Sequence, residues 1–493
     1  MNFMAISLRP KLNKLFSRNN FKLQLILIIL IALAIRIYFI FIREFWYDEA
    51  YTGLIINMPW REMVNALHFD VHPPLYYIII KFWSEIFGNT DAALRFFSTF
   101  ANLIFIAITV FFLKKYLAEK KFALAIGYLL AFNPFLILFA PEARMYSLLL
   151  LLYTLTMIVY AKAIDSDKKI TWLAFAILLA LCFYTHYIAI IAAPSFLIAW
   201  LLGQKKLQNF LYTIICLLAA FLLYYPWLSI FLFQLFNNQK GIYWVAASEL
   251  VNIGETVSVF IFGAIPSHYG NTAPLDYRFF KLNGNFFEIM TALFLPACGY
   301  YLAKIKKYKS AAIFFIFGPL SLIFVYIFSK ITDMRIYEER YLIIFLPACF
   351  ILFFFILFLN NKKLFYFVLA AYILMLAAVD LPDYPKQFGK LNGKLDLIAP
   401  EIKQIIVTDA DLFVKTKYYI SDKLKTLIKI YNFNDPKYNY NGWVVINNDD
   451  KILADDNLGS GSVIISQDYN YLLNNFSNFK PTQIDNLYYI FID

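Results

Sequence analysis

Two short acidic clusters have the composition needed to activate a hydroxyl group: Trp46-Tyr47-Asp48-Glu49-Ala50-Tyr51 and, about twenty residues on, Asp70-Val71-His72-Pro73-Pro74-Leu75-Tyr76-Tyr77. A carboxylate or imidazole held against an acceptor O–H takes its proton as the oxygen attacks, which is general-base catalysis. Pro73 and Pro74 stiffen the backbone after His72, and the surrounding rings are of the kind that collect at a membrane–water interface. Further on come Pro141-Glu142-Ala143-Arg144-Met145-Tyr146, Tyr184-Thr185-His186-Tyr187 and Tyr337-Glu338-Glu339-Arg340-Tyr341. Arginine binds phosphate oxygens through paired hydrogen bonds, and histidine, neutral or protonated, adds another. Taken singly, each motif has a plainer explanation: solvated carboxylates, snorkelling arginines, a histidine closing a helix end. What makes them a set is where they fall relative to the apolar segments.

That placement follows from composition and from the lysines. With 61% hydrophobic and 16% charged residues, a soluble molecule of this size would have a largely apolar surface, so the chain needs lipid around it. The net charge of +11 does not call for nucleic acid: residues 384–493 carry 12 Lys against 13 Asp and Glu, so the excess belongs to the apolar part and reports orientation. Apolar runs predict eleven membrane-spanning helices, near 22–42, 92–113, 122–140, 145–163, 171–185, 187–202, 208–236, 285–303, 310–329, 341–360 and 364–381. Basic residues gather before the first of these, around Lys114 and Lys121, Lys162 and Lys169, Lys205 and Lys206, Lys304 and Lys309, and Lys362 and Lys363. Those are alternate connections, and all the motifs above lie on the lysine-poor side. The positive-inside rule then puts the N-terminus in the cytoplasm and the motifs and C-terminus outside. The first span is too long for a signal-peptide core and no small-residue cleavage site follows, so it reads as an uncleaved anchor. Segments 61–87 and 248–265 read as helices lying in the outer interface. Arg36 and Asn133, in the outer halves of their spans, suit a cavity that opens outward and is reached laterally by a lipid.

After Pro382 and Pro385 the composition shifts to Asn, Asp and Lys with short β-rich runs at 405–408, 425–431, 443–447, 462–466 and 487–492 and a helical stretch at 411–420. The expected fold class is therefore an all-α polytopic membrane bundle over residues 1–383 with a small α/β extracytoplasmic domain over 384–493. Gly459-Ser460-Gly461-Ser462 lacks the lysine and spacing of a phosphate loop and reads as a turn. Cys182, Cys216, Cys298 and Cys349 all fall in apolar runs, so no disulfide framework is implied. No internal repeat is visible, which weighs against a transporter built from inverted halves.

Taken together, Asp48-Glu49, Asp70 to Tyr77, Pro141 to Ser147, Thr185-His186-Tyr187 and Arg340-Tyr341 are specific. Through them the chain resembles the C-type glycosyltransferase superfamily, in the bacterial membrane branch related to protein O-mannosyltransferases and the lipid A aminoarabinose transferase (glycosyltransferase family 39-like). The similarity runs over about residues 38–265 and again around 335–347. It implies a multi-pass enzyme of the bacterial cytoplasmic (inner) membrane that takes a hexose or pentose from a polyprenyl phosphate carrier. The sugar goes to a glycan, lipid or protein acceptor on the outer face, usually with inversion. By the same resemblance Asp48 is the general base and Glu49 orients it or the acceptor, with their roles open to exchange. Arg144, Arg340, His186 and His72, in falling order, neutralise the leaving phosphate, and Tyr47, Asp70, Tyr76, Glu142, Tyr146 and Tyr341 complete the substrate-binding set. No cofactor is required, because two cationic side chains balance a sugar phosphodiester; a divalent metal at Asp70 and His72 stays open. So does another class, a transporter or flippase of polyprenyl-linked sugars, although that function calls for polar residues through the full depth of the bundle and the inner halves of the spans are almost purely apolar. A third reading is a catalytically dead relative that binds glycans or partners. The outer domain is expected to help select the acceptor.

Overall fold

A computed structural model describes residues 20–116, 119–166, 168–202, 206–237, 251–262, 316–332, 336–377, 386–431, 445–446, 448–452, 459–476 and 478–492. The predicted span at 285–303 lies outside them, as do the 304–309 lysine cluster, the basic residues before Asn20, most of the β-rich run at 443–447, and the flanks of 248–265 beyond Val251–Phe262. Among the described residues, five helices are long and apolar enough to cross a membrane: Phe21–Ile42, Asp91–Tyr116, Tyr146–Ser166, Leu207–Phe236 and Tyr341–Asn360. Lys169–Phe183, Ile188–Trp200 and Ile316–Thr332 are shorter apolar helices. The chain gathers into two compact units, one of residues 1–39, 96–226 and 245–382, the other of residues 40–95, 227–244 and 383–493.

The first unit is a helical bundle whose apolar side chains leave its backbone polar groups to pair within helices. Tyr146–Ser166 and Lys169–Phe183 pack along each other, and Leu346–Asn360 lies against Lys362–Ala377 and Val251–Phe262. Phe122 meets Phe355, Phe358 and Phe365 at ring distances of 5.4, 5.1 and 5.8 Å. Gly127 permits a close crossing, since a Cβ there would sit 2.7 Å from Val110 Cγ2. The predicted span at 122–140 is broken: Lys120–Ala131 ends, Asn133 intervenes, and Pro134–Phe139 restarts. Asn133 caps the second piece by accepting from Leu136 N–H at 2.9 Å, while its amide donates to Phe260 O at 2.8 Å and Tyr372 Oη at 3.1 Å. Arg36 braces the end of the first piece, donating to Ala131 O at 2.9 Å, Ala32 O at 3.1 Å and Asn102 Oδ1 at 3.0 Å. Arg36 and Asn133, the two polar residues noted in the outer halves of their spans, thus hold a helix break together.

The second unit combines the helices after the first span with an α/β domain. Among the described residues its sheet has six strands in the order β3-β2-β1-β4-β6-β5, where β1 is Gln404–Val407, β2 Ile428–Tyr431, β3 Lys451–Ile452, β4 Ser462–Ser466, β5 Thr482–Ile484 and β6 Leu487–Ile492. β1 pairs in parallel with β2 and β4, and β4 antiparallel with β6. The central strands are runs of Ile and Val because both faces are covered; Ile406, Ile464, Leu472, Ile490 and Ile492 form one buried cluster, and Ile405, Val407, Val463 and Ile465 are buried as well. Gly461, at φ +87°, turns the chain into β4 as the sequence predicted. The helix Ala410–Tyr419, crossing from β1 to β2, packs on Tyr47–Asn57. The carboxylate of Glu44 accepts from Phe388 N–H at 3.0 Å and Gly389 N–H at 2.8 Å, capping the helix Gln387–Leu397.

Candidate functional site

The acidic motif opens a helix. Trp46 is the extended residue before Tyr47–Asn57, and its carbonyl accepts from Glu49 and Ala50 N–H at 3.1 and 3.0 Å, so Asp48 and Glu49 occupy the first turn, where negative charge meets the positive end of the helix dipole. The far end of this helix runs into Met58-Pro59 and is closed by a side chain: Lys81 Nζ donates to Ile56 O at 2.6 Å and Met58 O at 2.7 Å beneath the Trp60 ring. Lys81, on the segment 61–87 read from the sequence as interfacial, is 7% exposed.

The two acids differ sharply in environment. Asp48 is half-buried and Glu49 fully buried. Both Glu49 oxygens accept from Arg95, at 2.8 Å from Nε and 2.6 Å from Nη2. Arg95, itself 0% exposed, spends its remaining donors on the carbonyls of Ile40, Arg43 and Glu44 at 3.1, 2.6 and 3.0 Å. This bidentate pair fixes the rotation of the first turn and hence the direction of the neighbouring Asp48. Arg95 was not among the residues picked from sequence; the available signal was an arginine one turn into an apolar helix with an acid, Asp91, four residues before it.

The second acidic cluster is the bend between Trp60–Leu67 and Leu75–Phe87. Asp70 and His72 are both buried and face each other, Oδ1 to Nδ1 at 3.8 Å. Tyr76 and Tyr77, on the next helix, are 0% exposed and meet edge to face. Gln234 secures the bend by donating to Leu67 O at 2.9 Å and His68 O at 3.2 Å. Beside it His68, Phe69, Ser229, Ile230 and Phe233 line an apolar groove of about 250 Å³. As a metal site the bend offers two donors, Asp70 and His72, and among the described residues no cluster of three or more His, Cys, Asp or Glu side chains occurs.

The other predicted residues lie in the bundle unit. Tyr146, His186 and Tyr341 form an aromatic cluster, with Tyr146 stacked on Tyr341 at 6.4 Å and His186 against Tyr341 at 5.0 Å. His186 Nδ1 accepts from Ile188 N–H at 3.1 Å, so the neutral ring carries its proton on Nε2. Arg340 lies over the Tyr341 ring at 5.6 Å and 3.6 Å from Glu338 Oε1. Glu339, beside it, is buried, and its carboxyl is held well above the usual glutamate range by burial and by the like charges of Glu338 and Glu255. Glu142 and Arg144 sit in the bend between Pro134–Phe139 and Tyr146–Ser166, both nearly fully buried, with Ser98 Oγ donating to Arg144 O at 3.4 Å. Neither arginine is the exposed snorkel that composition alone would allow. Glu255, on Val251–Phe262, is an acidic member that sequence reading passed over, because that helix was read only for its place at the interface.

Residues 71–230 match the family model for dolichyl-phosphate-mannose-protein mannosyltransferase. Among solved structures, the crystal structure of ArnT from Cupriavidus metallidurans bound to undecaprenyl phosphate superposes with a TM-score of 0.61 at 12% identity, covering 94% of this chain and 97% of that one. The resemblance read from the motifs holds. The apo crystal structure of the same ArnT gives a TM-score of 0.53 at 11% identity over the same shares of the two chains. No curated protein matches by sequence. At such low identity the agreement is one of fold, carried by nearly the whole chain including its C-terminal sheet domain.

Proposed function

We propose that this protein is a membrane glycosyltransferase that moves a sugar from a polyprenyl phosphate carrier to an acceptor hydroxyl at the extracytoplasmic face of the bacterial cytoplasmic membrane. The observation that carries the reading is the half-buried Asp48 in a helix turn locked by the Glu49–Arg95 fork. It sits in a chain that follows over 94% of its length the fold of a protein crystallised with undecaprenyl phosphate. The mannosyltransferase match over 71–230 points to the same chemistry.

In this reading Asp48 accepts the proton of the acceptor hydroxyl while that oxygen bonds to the anomeric carbon from the side opposite the phosphate. The bond from that carbon to the phosphate oxygen breaks, its electron pair stays on the phosphate, and the sugar is delivered with inverted configuration. Polyprenyl phosphate leaves, and Asp48 returns its proton to solvent. Glu49 is a positioning residue, since both its oxygens serve Arg95. A phosphate leaving group is weakly basic and needs positive charge more than a proton. Arg144 and Arg340 supply that charge, His186 donates from Nε2, and Asp70 with His72 and Tyr76 orient the acceptor. The apolar groove beside Asp70 suits an isoprenoid better than a soluble nucleotide. The proposal keeps eleven spans with the N-terminus inside and the C-terminus outside.

The test is reconstitution. Purified protein in lipid nanodiscs, given polyprenyl phosphate donors labelled in the sugar and a panel of glycan, lipid and protein acceptors, should release free polyprenyl phosphate as label appears on one acceptor class. Movement of intact donor across proteoliposomes with no cleavage of the sugar–phosphate bond would mark a flippase and overturn the assignment.

A further inference from the structure

The helix carrying Asp48 is braced by side chains from the far end of the sequence. Arg95, which holds Glu49, lies over the ring of Phe45 at 4.8 Å, and the same ring stacks on Tyr418 at 5.1 Å and 27°. The Tyr418 hydroxyl donates to Asp91 Oδ1 at 3.0 Å. The next residue, Tyr419, donates its hydroxyl proton to Asp91 Oδ2 and accepts the backbone N–H of Phe45. Asp91 and Arg95 are one turn apart on the same face of a helix. Two consecutive tyrosines of the C-terminal domain therefore grip the carboxylate next to the guanidinium that fixes Glu49, and one of them also grips the backbone just before the acidic turn. The fit is close: a Cβ on Gly53, in the Asp48 helix, would run into the Tyr418 ring.

We propose that Tyr418 and Tyr419 are positioning residues, through which the C-terminal domain sets the orientation of the Asp48 helix and is needed for turnover itself, beyond any part in choosing the acceptor. The kinetic consequence rests on the sugar-transfer reading; the mechanical one does not. Without the hydroxyls, Asp91 and the Phe45 amide lose their partners, the Phe45 ring loosens under Arg95, and the first turn of Tyr47–Asn57 gains freedom. A displacement on the order of 1 Å at a general base costs up to about a hundredfold in rate.

The experiment uses full-length protein in nanodiscs and the double variant Tyr418→Phe/Tyr419→Phe, which keeps both rings. Expected are faster amide hydrogen exchange over residues 47–57 and a fall in kcat of about tenfold or more with the donor KM unchanged. Gly53→Ala, which keeps both hydroxyls but displaces the Tyr418 ring, should move both readouts the same way. Lys390→Ala, which opens an exposed ion pair to Asp485 elsewhere on the same domain, should move neither. Unchanged exchange over 47–57 in the double variant overturns the clamp, as does an equal loss of kcat in Lys390→Ala. Faster exchange in a protein whose wild type transfers no sugar would instead remove the transferase reading and leave the clamp standing.

Discussion

Asp48 and Glu49 are neighbours with opposite burdens. Glu49 and Arg95 are both excluded from solvent, so removing one strands the other's charge in a low-dielectric site. Glu49→Ala and Arg95→Ala should each destabilise the protein by about 3–5 kcal/mol, seen as a lower unfolding temperature in detergent, while the double variant should lose less than the sum. Additive losses would mean that the pair does not act as a unit. The cationic residues have a different signature. If Arg144 and Arg340 hold the donor phosphate, each Arg→Ala change gives up a charge-assisted hydrogen bond of about 1.5–3 kcal/mol, which should raise the donor KM roughly tenfold or more. Unchanged KM values with lower thermal stability would reassign both to structure.

At the scale of elements, the breaks matter as much as the helices. The turn at Asn133 depends on one side chain that caps Pro134–Phe139 and ties it to Phe260 and Tyr372. Asn133→Ala should cost about 1–2 kcal/mol from the cap alone, checked by thermal unfolding. The 336–340 segment carries a pH dependence. Because burial and the neighbouring acids raise the Glu339 carboxyl, the folded state keeps a proton that the unfolded chain releases above the ordinary glutamate range. Its contribution to stability is therefore full at acid pH and lost as pH rises from that range through the raised value. Glu339→Gln should flatten this slope in unfolding temperatures measured across pH; an unchanged slope would assign it to another group. The apolar runs announced the long helices because their cause is local, but the sequence reading ran straight through Asn133-Pro134 since hydrophobicity continues on both sides. Pro226 shows why a proline alone does not decide: it sits inside the unbroken helix Leu207–Asn237.

For the whole molecule, the legible part was what short-range chemistry dictates: a lipid-embedded helical fold and a C-terminal α/β domain with strands at 404–407, 428–431, 462–466 and 487–492. The long-range ties were hidden. Arg95 reaches Glu49 across 46 residues and Tyr418 reaches Asp91 across 327, and no periodicity encodes such pairs; a lone arginine at the head of an apolar helix reads as a snorkel until its partner is seen. Orientation is open to direct test: a membrane-impermeant thiol reagent should label Lys390→Cys in intact spheroplasts and Lys120→Cys only after permeabilisation, and the reverse pattern would invert the topology. The central claim, that Asp48 is the base, is tested most directly by Asp48→Asn in the reconstituted transfer assay, with polyprenyl phosphate binding followed in parallel by thermal stabilisation. The account predicts binding at the wild-type level with transfer lost; transfer near the wild-type rate in that variant would contradict it.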